Sequence, residues 1–165
     1  MFVNCFSPVI DKNCRILILG SMPSVKSRET GFYYGNPSNR FWKILSYITG
    51  ADFTARTKEE KIRELLARNI ALYDVFSSCE ITGSADGKIK NATLNDIPAL
   101  IRKTDIRKIY VTSKKAFDVF VKRFGNYFKT QGVSVINLPS PSAANRAKFR
   151  TDESLLKEWQ RLLTF

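Results

Sequence analysis

Four apolar runs punctuate the chain, at residues 16–19, 70–76, 106–112 and 133–138. Short, nearly unbroken apolar runs read as strands buried on both faces, the pattern of a parallel sheet. Between them the period changes to that of a helix. Phe41, Trp42, Leu45 and Ile48 recur at helical spacing, with Ser38 as the expected cap and Gly50 as the stop. Thr57 and Glu60 form a capping box for a helix running to residue 68, with Ile62, Leu65 and Leu66 inward. Residues 95–103 read as a short helix. Ser113 heads another, with Ala116, Phe117, Phe120, Val121 and Phe124 inward and Gly125 as its stop. Leu155, Leu156, Trp159, Leu162 and Leu163 stripe a last helix. Residues 20–36 and 77–94 carry glycines and polar side chains and read as long loops, which in a compact domain usually serve function. The alternation of strand and helix predicts a three-layer α/β/α sandwich with a four-stranded, mainly parallel sheet.

Composition bounds what this domain does. The 165 residues fit one domain, and 44% hydrophobic content supports a real core. No apolar run approaches the roughly 20 residues needed to span a bilayer, and no signal-peptide pattern opens the chain, so a cytoplasmic location is expected. Lys and Arg number 27 against 15 Asp and Glu, a formal charge of +12 that points to a polyanionic partner. Cys5, Cys14 and Cys79 are too few and too scattered for a zinc knot or a disulfide framework, and read as inert thiols. The chain contains no histidine. Ser-His and Cys-His triads and the usual zinc hydrolase sites are thereby excluded. Chemistry must run on carboxylates, amides, hydroxyls, lysines or backbone dipoles.

The polar segments after the strands supply the candidates. Gly20, Ser21, Met22, Pro23 and Ser24 follow the first strand. An aromatic loop, Phe32, Tyr33 and Tyr34, leads into Asn39, Phe41 and Trp42. Leu138, Pro139, Ser140, Pro141 and Ser142 close the last strand. Ligands of open parallel sheets bind beyond the carboxyl ends of the strands, where all three segments should gather. Aromatic faces, exposed backbone and a carboxamide suit a nucleobase turned out of its stack.

These segments resemble the uracil-DNA glycosylase superfamily, and most closely its deoxyinosine (hypoxanthine) DNA glycosylase branch. The G-S-x-P-x-x-x-S loop, the Y-Y-x-x-P-x-N-x-F-W segment and the L-P-S-x-S loop stand here at residues 20–27, 33–42 and 138–142. The resemblance implies a monofunctional DNA glycosylase acting on a deaminated base, hypoxanthine first. No metal or organic cofactor is implied. The expected partner is double- or single-stranded DNA, and the expected state is a monomer. By the same resemblance Asn39 positions the attacking water, although an asparagine there also suits a helix start. Tyr34 is expected to stack on the base, with a buried aromatic cluster as the plain alternative. Gly20, Ser21 and Met22 are expected against the base, the backbone N–H groups taking charge from the leaving group. Met22 stands where uracil enzymes carry an Asp or Asn, which turns attention to Asn39. Pro23, Ser24, Ser140, Pro141 and Ser142 are expected at the DNA backbone, followed by Asn145, Arg146, Lys148 and Arg150. Asn91 is a candidate reader of a base edge. Asp74 and Asp86 resemble family positions around the pocket, but turn residues are often Asp for local reasons. Ser113 is expected as a helix cap. No lysine occupies a motif position, so no Schiff-base lyase is indicated. The rival readings are a uracil or mismatch glycosylase and a non-catalytic nucleic-acid-binding domain. A nucleotide-binding protein is disfavoured by the lack of a G-x-G-x-x-G or Walker loop.

Overall fold

The computed structural model describes all residues from Met1 to Phe165. Four strands form one sheet: β2 (Ile16–Gly20), β3 (Ile70–Asp74), β6 (Lys108–Val111) and β7 (Ser134–Asn137), in the order β3-β2-β6-β7. Every pairing within it is parallel, as the unbroken apolar runs predict. Alternate side chains of one strand leave on opposite faces. Leu17 and Leu19 therefore enter one core, and Ile16 and Ile18 the other.

The second core is covered by α2 (Phe41–Thr49), α3 (Lys58–Ala67) and α6 (Asp152–Leu162). Phe41, Trp42, Leu65, Leu155 and Trp159 are its buried anchors. The capping box of α3 forms as expected, with Thr57 accepting from the N–H of Glu60 and the Glu60 carboxylate accepting from that of Thr57. The first core is covered by α4 (Ile97–Ile101) and α5 (Lys114–Thr130). Ser113 caps α5 as expected.

The structure departs from expectation in four places. Helix α5 runs through Gly125 and ends at Thr130, so its stripe is Ala116, Phe120, Phe124 and Phe128, while Val121 is exposed. Gly132, not Gly125, takes the positive φ that suits a helix stop, at +67°. Residues 77–94 are not a loop. They form a hairpin of β4 (Phe76–Glu80) and β5 (Lys90–Leu94), joined by β1 (Phe2–Asn4) into a three-stranded antiparallel sheet. This sheet adds Val3, Phe76 and Cys79 to the first core. The loop after β2 holds a short helix, α1 (Val25–Thr30), capped by Ser24. Finally, Ser38 does not cap α2. Its hydroxyl bonds to Asn36 Oδ1, and the first N–H of the helix, that of Phe41, is taken by Asn39 Oδ1 at 2.9 Å.

Candidate active site

The carboxyl ends of β2, β3 and β6 open into one small cleft of about 130 Å³. Pockets for drug-sized ligands run to ~300–1,000 Å³, so this one suits a single ring system rather than a whole nucleotide cofactor. Its wall brings together Gly20, Ser21, Met22, Pro23, Ser24, Tyr34, Asn39, Ser140, Pro141 and Ser142, segments more than a hundred positions apart. Asp74, Ser84, Thr112 and Ser113 also line it.

The aromatic loop divides as a buried cluster and one available ring. Phe32 and Tyr33 are buried, with Tyr33 donating to the Ser7 carbonyl at 2.8 Å. Tyr34 is partly exposed and lies flat on Phe41, with ring centroids 3.8 Å apart. Its backbone sits at φ +51°, a left-handed conformation unusual for a bulky residue. Two contacts hold it there: the Phe41 stack, and a 3.0 Å bond between the Tyr34 and Thr112 hydroxyls. Thr112 gives its own proton to the Leu19 carbonyl at 3.3 Å, which leaves Tyr34 as the donor of that pair. Burial raises the Tyr34 phenol well above its ordinary pKa and keeps that donor protonated.

Asn39 lines the cleft while bonded to the start of α2. That bond uses one lone pair of Oδ1 and fixes the amide. The second lone pair and the NH2 group remain for a ligand. Both sequence alternatives for this residue are thus compatible in one side chain.

The Pro/Ser loop is rigid because its carbonyls are taken from behind. Trp159 Nε1 donates to Pro139 O at 2.9 Å, Asn145 Nδ2 to Ser140 O at 3.0 Å, and the Arg40 N–H to Pro141 O at 3.0 Å. The Arg40 guanidinium reaches Ser142 O and Phe149 O. Arg40 is only 2% exposed and makes no carboxylate hydrogen bond; it staples this loop to the start of α2 beside Asn39. Asn145 is a brace of the loop, while Arg146, Lys148 and Arg150 are exposed beyond it.

Two residues outrank their sequence signal. Asp86, on the turn between β4 and β5, accepts from Ser21 Oγ at 2.6 Å and from Ser113 Oγ, tying the ends of β2 and β6 together behind the cleft wall. Lys115 holds that turn through the Asp86 carbonyl at 2.8 Å. Asp74 ends β3 directly opposite Gly20 and is buried in the wall. Burial, with Asp86 nearby, raises its pKa from 3.8 to about 7. In the sequence both aspartates had only a resemblance to family positions around the pocket, weighed against the ordinary use of Asp in turns. Asn91 is not brought to the cleft: it is exposed on β5 and donates to Glu80 Oε2 at 3.1 Å, which corrects its reading as a base contact.

Residues 7–163 match the sequence model of the uracil DNA glycosylase superfamily. The chain belongs to that superfamily. Among its relatives, a hypoxanthine DNA glycosylase of Methanosarcina acetivorans is 35% identical over 156 residues, 94% of each chain. A hypoxanthine DNA glycosylase of Methanosarcina barkeri is 33% identical over 152 residues, covering 90% of this chain and 92% of that one. A solution NMR structure of a Methanosarcina acetivorans protein, proposed as a uracil DNA glycosylase, superposes with a TM-score of 0.79 at 32% identity and 98% coverage of both chains. No helix here is long and apolar enough to cross a membrane.

Proposed function

We propose that this chain is a monofunctional DNA glycosylase that hydrolyses the N-glycosidic bond of a deaminated base, hypoxanthine in particular. The observation that carries it is the cleft: a ring-sized space with a carboxamide and an aromatic ring on one wall, inside a superfamily member whose relatives are named hypoxanthine DNA glycosylases. The base enters against Tyr34, where stacking supplies ~1–3 kcal/mol. Asn39 holds a water beside C1′ by accepting its hydrogen bond; an oxocarbenium-like transition state needs positioning and charge more than a strong base. Backbone of Gly20, Ser21 and Met22 faces the leaving group. Ser140, Pro141 and Ser142, on a loop stiffened from behind, meet the DNA backbone with Arg146 and Lys148, while Pro23 and Ser24 meet it from the other side. The substrate strand is in duplex or single-stranded DNA, and the protein acts as a monomer in the cytoplasm, where its three free thiols stay reduced. The test is incubation with matched duplexes carrying hypoxanthine, uracil, xanthine or mispaired thymine, followed by an assay for abasic sites. Release of hypoxanthine ahead of the others is expected; no release from any duplex refutes the reading.

A further inference from the structure

Asp74 is the one group in the cleft whose presence the roles above leave unexplained. Its side chain is buried, and no cation pairs with it. Oδ2 is buried without any hydrogen-bond partner. Oδ1 lies over Gly20, 2.6 Å from where a Cβ on that residue would stand; the Tyr34 hydroxyl lies 3.3 Å from the same point. The carboxyl group and the tip of the stacking ring therefore converge on one spot in the cleft wall, which only glycine leaves open. The charged and titratable groups around it offer no compensation: Asp86 from the turn after β4, Tyr73 beside it on β3, Tyr33 and Tyr34 from the aromatic loop. Lys115 of α5 is bound instead to the carbonyls of Asp86 and Ile89. A buried carboxyl without a partner costs free energy and is retained where it serves chemistry.

We propose that Asp74 is the proton donor to the base as it leaves. The proposal rests on the glycosylase reading above. In the step, the C1′–N bond breaks and its electron pair passes to the base. The proton on Asp74 moves to a ring nitrogen of the purine, so the base departs neutral. The water held by Asn39 adds to C1′ and releases a proton to solvent, from which Asp74 is reprotonated. A purine offers free ring nitrogens as acceptors while still bonded to the sugar. Uracil offers only carbonyl oxygens, which are weaker bases. A carboxylic acid at this position thus favours purine release. An acid that titrates near 7 is matched to this work at neutral pH.

The experiment is single-turnover release from hypoxanthine and uracil duplexes between pH 5 and pH 9, with the wild-type chain and Asp74→Asn. The amide keeps the shape but delivers no proton. Wild-type release of hypoxanthine should fall with rising pH above about 7. The variant should be slower by ~10²–10⁴ at pH 6, show no such fall, and lose less on uracil. A variant near the wild-type rate, or one slowed equally at every pH on both bases, overturns the proposal. A wild-type chain that releases hypoxanthine with a flat pH profile overturns it alone, whereas one that releases no base overturns the glycosylase reading as well. Should the variant not fold, carbon NMR of the wild-type Asp74 carboxyl decides: titration near 7 supports proton donation and titration near 3.8 overturns it.

Discussion

Asn39 carries two loads on one side chain, and they are separable. Its Oδ1 holds the first N–H of α2, and the rest of the amide faces the cleft. Asn39→Ala should lose both: ~10²–10³ in base release, as for other single positioned polar groups, and about 1 kcal/mol of stability, as for other helix-start contacts. Asn39→Ser keeps a short oxygen for the Phe41 N–H but falls short of the cleft. It should melt like wild type and release base like the alanine variant. Recovery of melting and activity together in Asn39→Ser would make the helix start the whole explanation. Asp74 makes a second residue-scale prediction through stability. Its pKa is raised from 3.8 to about 7, so between those values the folded chain holds a proton that the unfolded chain releases. The group's contribution is therefore complete below pH 3.8 and is lost as pH rises through 7. Urea midpoints of the wild type should fall from pH 5 to pH 8, and Asp74→Asn should flatten that fall. An unchanged slope in the variant would assign the pH dependence to other groups.

At the scale of elements, the site is three loop segments locked to a sheet. Arg40 shows how the lock works: a nearly inaccessible guanidinium satisfies carbonyls of Ser142 and Phe149, and its own N–H that of Pro141. Arg40→Met should cost ~2 kcal/mol, because two partly buried carbonyls left without donors each cost toward the low end of about 1–3 kcal/mol. Arg40→Lys should recover little, since one ammonium does not reproduce a planar fork. Thermal melting with release assays checks both, and a neutral Arg40→Met would show the loop to be held by Trp159, Asn145 and the main-chain N–H of residue 40 without the guanidinium. The parallel sheet was legible because its strands are buried on both faces and need unbroken apolar runs; the loops at their ends followed from that. The antiparallel hairpin was not. Strand β5 is almost wholly exposed, its ladder with β4 shifts register twice, and neither strand alternates cleanly. Gly125 misled because glycine in a helix interior and glycine at a stop are the same letter; only backbone geometry tells them apart. Asn39 and Tyr34 stood inside a recognisable segment, whereas Asp86 acts on Ser21 across 65 positions, a contact no local pattern carries. Asn91 had the right chemistry on the wrong strand.

For the whole molecule, charge decides how the cleft meets its substrate. The formal +12 is spread over a small domain, and part of it borders the site. A groove beside the cleft is lined by Asn36, Ser38, Asn39, Lys43, Lys61 and Arg146. Lys43 is neutralised by Asp152 at 2.7 Å, and Lys61 lies 4.9 Å over the Trp42 ring. Arg146 is exposed and only loosely paired, 3.7 Å from the same aspartate, so it is the side chain most available to a phosphate. Phosphate contacts release counterions from DNA, and affinity then falls linearly in log–log form with salt, at ~0.9 per phosphate neutralised. Binding to duplex DNA should therefore weaken steeply between about 50 and about 200 mM salt and depend little on sequence. Arg146→Ala should lower the salt slope by about 1 and weaken binding to every sequence alike. Because Arg146 lies outside the cleft wall, single-turnover release at saturating protein should stay near the wild-type rate. Anisotropy titrations at several salt concentrations, paired with that rate, separate the two effects. An affinity that ignores salt would remove the electrostatic account altogether. A variant that binds normally but releases base slowly would instead move Arg146 from the DNA backbone to the chemistry.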